Sequence, residues 1–528
     1  MGILVSGLVN AEPAGLWNVT AGGGDRDEGY SVAVDSENNI IITGVTESFA
    51  GFSGREIIDQ FGNKNADFWT IKYDANGKML WNKTAGGDYW DEAKGVAVDS
   101  KNNIIVTGST AYSPDFLHFS LSRYYKQFLK EGEVHLALRN GFKENNVTLS
   151  DNAKLSKPNE YNWEIADDKN SYLISGLDND NLDVFTSRNP DILTIKYDSF
   201  GNVLWNKTFG ESGWYYGESV AVDSNDNIIV AGHANSFDER EVGGRIIKYD
   251  SQGNLLWNKT AGGSPFDEFY GAAVDSNNNI IIAGFMRSSD VGSTGVVKYD
   301  SNGNLLWNKT PSMNGWGRGY GVAVDSDNNI IVVGSTNLQY YGPGVGVLTI
   351  KYSPGGNMLW NKTASGIYDN SFDSGRSVAV DSNDNIIVAG YTERITAIEN
   401  YETIIWENTT YYVVGGIDSF YYTEPPVERN YELWTIKYDP SGNLIWNKTE
   451  GGIDRDMGFG AAVDSNDDII VAGVTNSFGT GKEDVWVIKY DVGRNERNQN
   501  TGIYVIAGVV ILALILLFIV MLKRKNRH

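Results

Sequence analysis

Residues 321–363 read GVAVDSDNNIIVVGSTNLQYYGPGVGVLTIKYSPGGNMLWNKT. Four apolar runs stand out, GVAVD, NIIVVG, LTIKY and MLWNKT, and Asp, Asn and Gly fill the connections DSDNN and SPGGN. Short runs rich in β-branched and aromatic residues, bounded by turn formers, predict strands joined by hairpins. The second and third runs are apolar at successive positions, so both faces must be covered, as in a sheet sandwiched between two neighbours. Gly321 and Ala323 are small where a first strand would crowd a central axis.

The unit recurs along the chain. Ala-Val-Asp-Ser occurs seven times, with its Asp at 35, 99, 223, 275, 325, 381 and 464. Lys-Tyr-Asp/Ser begins at 72, 196, 248, 298, 351, 437 and 489, and Trp-Asn-Lys/Val-Thr at 17, 81, 205, 257, 307, 360 and 446. Four-stranded units repeated at about 50 residues predict an all-β fold, a closed seven-bladed β-propeller over residues 16–491. The chain opens on an unpaired third motif, LWNVT (16–20), and the array closes on an unpaired second motif, VIKYD (487–491). The N-terminal strand is therefore expected to complete the last blade. Long insertions fall between second and third strands, at 46–67, 111–190 and 391–432, which puts them all on one face. Within the last of these, TIIWENTTYYVVGG (403–416) predicts a hairpin.

The core G-x-AVDS-x-(N/D)-(N/D)-I-I-V-x-G resembles the SBBP-type seven-bladed propeller repeats of archaeal and bacterial surface proteins, and covers most of residues 16–491. That resemblance implies a prokaryotic cell-surface protein and little about its activity, because propellers host many functions. A weaker likeness, through D-x-x-G-N-x-x-W (300–307), is to quinoprotein propellers, whose cofactor residues find no match. The sialidase Asp-box fails on spacing, since Asp300 lies seven residues before Trp307.

The chain has 528 residues and no cysteine, which excludes disulfides, thiolate metal sites and Cys nucleophiles. Its 43 Lys+Arg against 67 Asp+Glu exclude a nucleic-acid backbone as partner. Residues 503–522, IYVIAGVVILALILLFIVML, form an uncharged 20-residue stretch, long enough as a transmembrane helix for a bilayer core of about 30 Å. The basic tail KRKNRH (523–528) places the C-terminus in the cytoplasm and the propeller outside, joined by a short stalk, 492–502. Residues 1–11 read as a signal-peptide remnant.

The loops on the face bearing the insertions interleave aromatics with acids, as in GGDYWDEAK (86–94) and GGSPFDEFYG (262–271). Rings that stack on sugar CH groups beside acids that bond hydroxyls suit a glycan. The candidate ligand-binding residues are Tyr89, Trp90, Asp91, Trp214, Tyr215, Phe266, Asp267, Trp316, Tyr368 and Trp406. The same acids suit Ca²⁺, a hard ion that takes several oxygens. Equally, Asp in such places caps tight turns and aromatics fill blade junctions. No catalytic motif is present: the three histidines before residue 503 are at unrelated sites, and H-E-x-x-H, G-x-S-x-G and a P-loop are all missing. The function expected is a membrane-anchored binding or adhesion module for an extracellular glycan or surface protein. A structural envelope glycoprotein ranks second, and a surface hydrolase or quinoprotein-like enzyme third. Sequons for N-glycosylation begin at Asn18, Asn82, Asn146, Asn206, Asn258, Asn308, Asn361, Asn408 and Asn447, seven of them within the Trp-Asn-Lys/Val-Thr motif.

Overall fold

The computed structural model describes residues 13–491 except 51–64, 88–89, 111–115, 120–153, 157–162, 167–169, 176–181, 189, 211–213, 236–242, 262–266, 289–290, 312–316, 338–344, 367–371, 398–401, 407–408, 415–419 and 423–426. Among them are seven four-stranded antiparallel sheets. Blade one has the strands Asp27–Val34, Ile40–Thr46, Asp67–Tyr73 and Met79–Ala85, in that order from the axis outward. The seventh sheet takes Asp456–Val463, Ile469–Thr475 and Asp484–Asp491 from the end of the array. Its fourth strand is Ala14–Ala21, which pairs antiparallel with Asp484–Asp491 from Ala14↔Asp491 to Ala21↔Val485. The apolar stretch 503–522 and the remnant 1–11 lie outside the described residues, among which no helix is long and apolar enough to cross a membrane.

Hydrophobic cores lie between blades. One combines Val32, Ile40, Ile42 and Trp69 of blade one with Ile470, Ala472, Val485 and Val487 of blade seven. Second and third strands such as Ile40–Thr46 and Asp67–Tyr73 are buried along their whole length, as their unbroken apolar sequence requires.

The three repeated motifs meet at each blade. In Ala-Val-Asp-Ser the Asp caps the turn after the first strand: Asp325 Oδ1 accepts the backbone N–H of Asp327 and Asn329, and Oδ2 accepts the Asn329 amide. Oδ2 also meets the buried Lys of the Lys-Tyr motif, at 2.9 Å for Lys351 and Asp325, and every blade repeats this pair at 2.7–3.0 Å. The Trp of the outer strand donates to a turn carbonyl of the next blade, as in Trp205 to Ser251 (3.3 Å) and Trp360 to Pro440 (3.2 Å). Trp17 does the same to Ala75 of blade one at 3.2 Å. Glycine is required in those turns, since Gly253 has φ +81° and a Cβ there would strike the Trp205 ring at 2.9 Å.

The serine completes a ring of hydrogen bonds. Ser36 N–H donates to Asn102 Oδ1, Ser100 to Asp226, Ser224 to Asn278, Ser276 to Asn328, Ser326 to Asp384, Ser382 to Asp467, and Ser465 back to Asn38. Each acceptor residue has φ of 60–64°, the left-handed conformation that Asn and Asp tolerate best. We call the end of the ring carrying these turns the lower rim.

An acid-stability prediction follows from the caps. Burial alone would raise the carboxyls of Asp35, Asp99, Asp223 and Asp275, but the Lys and Asn donors outweigh it and hold them below the usual range. A carboxyl with a depressed folded pKa contributes stability above its unfolded value, near 3.8, and loses it as pH falls through the folded value. The melting temperature should fall steeply below about pH 4. An unchanged melting temperature at pH 3 would contradict this role.

Two insertions carry their own sheets. Within 111–190, the strands Phe116–Phe119, Leu182–Arg188, Asn170–Ser175, Trp163–Ala166 and Lys154–Ser156 form a five-stranded sheet in that spatial order. In blade six the inner strands Ile386–Ala397 and Val427–Tyr438 run into the 391–432 insertion, staying paired as far as Ala397↔Val427. Between them Glu402–Trp406, Thr409–Val414 and Phe420–Tyr422 make a three-stranded sheet that contains the hairpin expected at 403–416.

Candidate functional site

Each first strand carries one extra residue relative to its partner. The register slips between Gly29 and Ser31, Ala93 and Gly95, Gly217 and Ser219, Phe269 and Gly271, Gly319 and Gly321, Gly375 and Ser377, and Gly458 and Gly460. A β-bulge re-aims the skipped side chain. The skipped residues are Tyr30, Lys94, Glu218, Tyr270, Tyr320, Arg376 and Phe459, and all seven line one central cavity of about 600 Å³. The residue after each bulge is Ser or Gly because adjacent first strands nearly touch there: a Cβ on Gly321 would meet Ser377 Cα at 3.0 Å. The serines tie the strands together, as where Ala461 N–H donates to Ser377 Oγ at 3.1 Å.

The cavity breaks the sevenfold pattern. Carboxylates come from blades one to three, as Glu28, Glu92 and Glu218, with Glu268 of blade four beside Tyr270, whose hydroxyl donates to it. Arginines come from blades six and seven, as Arg376 and Arg455, with Arg26 of blade one between Glu28 and Glu483. Arg376 lies 4.1 Å from the Tyr320 ring centre and donates to the Tyr391 hydroxyl. Lys94 lies 3.6 Å over the Tyr30 ring, and Tyr30 meets Phe459 edge-on at 5.6 Å. The cavity is thus a charged channel walled by four aromatic rings.

Glu218 is a strongly perturbed acid of the cavity. Burial, reinforced by the neighbouring Glu92 and Glu268 carboxylates against Lys94 and Arg376, pushes its carboxyl up to about 7. Its Oε1 lies 3.8 Å from His233 Nδ1, and burial lowers that imidazole to about 4, so His233 is neutral at physiological pH. The imidazole stacks on Tyr216 at 5.0 Å. The group can bind a polar ligand against aromatic faces and exchange a proton with it near neutrality.

The sequence-predicted residues are placed differently. Trp90 joins the upper mouth of the channel: the Arg26 guanidinium lies 5.1 Å from its ring, and its indole N–H donates to Glu92 at 3.4 Å. Asp91 and Asp267 are buried, and each accepts a backbone N–H, Asp91 from Gly87 and Asp267 from Arg287. Tyr215 is 1% exposed, in the core beside Ile192 and Val230. Trp214 is half-buried at the start of blade three. Tyr89, Phe266, Trp316 and Tyr368 lie outside the described residues, and Trp406 belongs to the strand Glu402–Trp406, with its side chain outside the description. Among the described residues no group of three or more His, Asp or Glu is placed to hold a metal ion. The bulge residues escaped the sequence reading, although one signal marks them. Between a mostly glycine position and a Ser/Gly position of the repeated core, one place varies freely among Tyr, Lys, Glu, Arg and Phe.

No protein-family model matches the chain. It is 23% identical to an uncharacterized WD repeat-containing protein of Acanthamoeba polyphaga mimivirus, over 89% of this chain and 36% of that one. A second relative, the regulatory protein FlaEY of Caulobacter vibrioides, is 30% identical over 20% of this chain and 12% of its own. The chain thus aligns with about a third or less of these relatives' lengths. Among solved structures it is similar to Sqt1 of Chaetomium thermophilum (9% identity, 92% of this chain and all of that one, TM-score 0.40). It is also similar to the polysaccharide lyase Uly1 (8% identity, 89% and 91%, TM-score 0.38).

Proposed function

We propose that this seven-bladed propeller is a membrane-anchored surface binding module of the SBBP-type class, and that its ligand seats in the central channel, entered from the face bearing the insertions. One observation carries the reading: the seven bulge residues, of five different types within an otherwise repeated strand, all line one cavity. A purely structural repeat has no need to diversify a position that faces its axis. Aromatic walls beside carboxylates and cations suit a small hydroxylated ligand such as a short glycan. Glycan-array binding by the full chain in detergent tests it. A bound glycan should show an affinity that changes with a midpoint near pH 7, as Glu218 passes from hydrogen-bond donor to carboxylate acceptor. The change should vanish in Glu218→Gln. A pH profile that survives this substitution overturns the assignment of Glu218.

Glu218 also favours a second reading, since a surface hydrolase needs a protonated acid near neutrality. Turnover of a bound glycan that Glu218→Gln abolishes while binding persists would select the enzyme.

Sequon occupancy belongs to the same surface reading. Asn18, Asn82, Asn206, Asn258, Asn308, Asn361 and Asn447 are all exposed on the outermost strands, which supports a glycan girdle covering their unpaired edges. Asn146 and Asn408 lie outside the described residues. Mass spectrometry of protein from its native host should find hexose-bearing peptides at several of the seven. Unmodified peptides spanning Asn258, Asn308 and Asn361 would reject the girdle.

A further inference from the structure

The outermost strands each begin with exposed apolar residues at the lower rim. Leu80, Leu204, Leu256, Leu306 and Leu359, each just before the motif Trp, are 48–52% exposed, and the residue before each is a Met, Val or Leu exposed to a similar degree. Exposed leucines scattered singly are ordinary, but these recur at one height around the ring. Lysines share that height. The side chains of Lys83, Lys207, Lys309 and Lys362 lie over Gly201, Gly253, Gly356 and Gly442 of the next blade's turn, and Lys259 donates to the Gly303 carbonyl. Leucines flanked by long cationic side chains, arranged in one plane, match the boundary between acyl chains and phosphate headgroups.

On the anchoring reading of residues 503–522, the chain points the same rim at a membrane. The third strand of blade seven ends at Asp491, the counterpart of Asp74, whose turn in blade one lies on this rim. Only residues 492–502 separate it from the apolar stretch 503–522, and 11 residues reach at most about 40 Å when fully extended. Half-buried turn acids such as Asp198 and Asp250 share the rim, so the complementary surface is zwitterionic rather than strongly anionic.

We propose that the lower rim rests on the bilayer, with its leucine–lysine belt at headgroup level, so that the ring stands flat and the channel opens away from the membrane. This rests on the anchoring reading of residues 503–522. The sequon asparagines stand two residues further along each strand, about 7 Å above the leucines, clear of the acyl boundary.

The natural absence of cysteine permits single labels in the full chain. Leu256→Cys on the belt, Ile453→Cys in the exposed loop at the opposite end, and Val510→Cys in the apolar stretch would each carry a fluorophore in phosphatidylcholine vesicles containing bromolipid. Leu256 is half-exposed, so its replacement leaves the ring folded, and circular dichroism checks this. The belt label should lose roughly half or more of its emission, as expected for a group about 5–10 Å into the interface, while the Ile453 label keeps its emission. Quenching at Val510 with none at Leu256 overturns the belt and leaves the anchor standing. No quenching at Val510 removes the anchor and the proposal with it. Leu256 spin labels that approach one another between copies, unquenched by lipid, overturn it in favour of self-association.

Discussion

Removing residues 14–21 should cost the propeller on the order of 5 kcal/mol, since a truncated core Trp alone costs about 3–5 kcal/mol and the deletion also exposes an inner strand. The strand pairs with Asp484–Asp491 along its whole length, and Trp17, Val19 and Ala21 pack on the core shared by blades seven and one. Trp17 also bonds the turn carbonyl of Ala75, so its loss opens both the outer edge of blade seven and the seam to blade one. A deletion of similar length at residues 236–242, between the strands Ile228–Asn235 and Gly243–Tyr249, should change little. Thermal denaturation compares the two variants, and an unchanged melting temperature on removing residues 14–21 would refute a closing role for that strand.

The second large effect is expected at the buried ion pairs. Lys351 and Asp325 are 5% and 2% exposed at their side chains, and Lys351 also donates to the Pro440 carbonyl of the next blade. Lys351→Ala leaves a buried carboxylate without its cation, and breaking such a pair typically costs about 3–5 kcal/mol. The double variant Lys351→Met, Asp325→Asn should recover much of the loss. Asn still accepts the turn N–H groups of Asp327 and Asn329, and no charge is then left buried. Urea unfolding of the single and double variants decides this. A single variant as stable as the parent would mean that the pair contributes only geometry.

Repetition made the ring legible in the sequence. Seven copies of three motifs predict seven blades, and their Asp/Asn connections predict the hairpin turns, in which Asn38 and its six counterparts are left-handed. What the motifs do together was hidden. The Asp of the first strand and the Lys of the third lie 37 residues apart in blade one, and only the sheet brings Lys72 to Asp35. The burial of two candidate acids was hidden for a related reason. Asp91 and Asp267 sit beside aromatics in glycine-rich loops, which resembles a ligand cluster, but a loop that turns sharply onto a first strand needs an acceptor for its own N–H groups. Each of those carboxylates accepts a backbone N–H. The bulge is a slip in pairing between two strands, with no local mark except a variable residue between small ones. Glu218, Arg376 and their five counterparts were therefore passed over.

The channel is the centre of this account, and one scan tests it. Each of the seven bulge residues, Tyr30, Lys94, Glu218, Tyr270, Tyr320, Arg376 and Phe459, would be replaced singly by Ala in the full chain, beside a Gly/Ser replacement of residues 403–416. The affinity of each folded variant for the glycan found on the array would be measured by titration calorimetry. The channel reading predicts that losses of about tenfold or more concentrate at several bulge positions, with the 403–416 variant weakened less. Binding that survives all seven channel substitutions and disappears with residues 403–416 would contradict it and move recognition to the insertions.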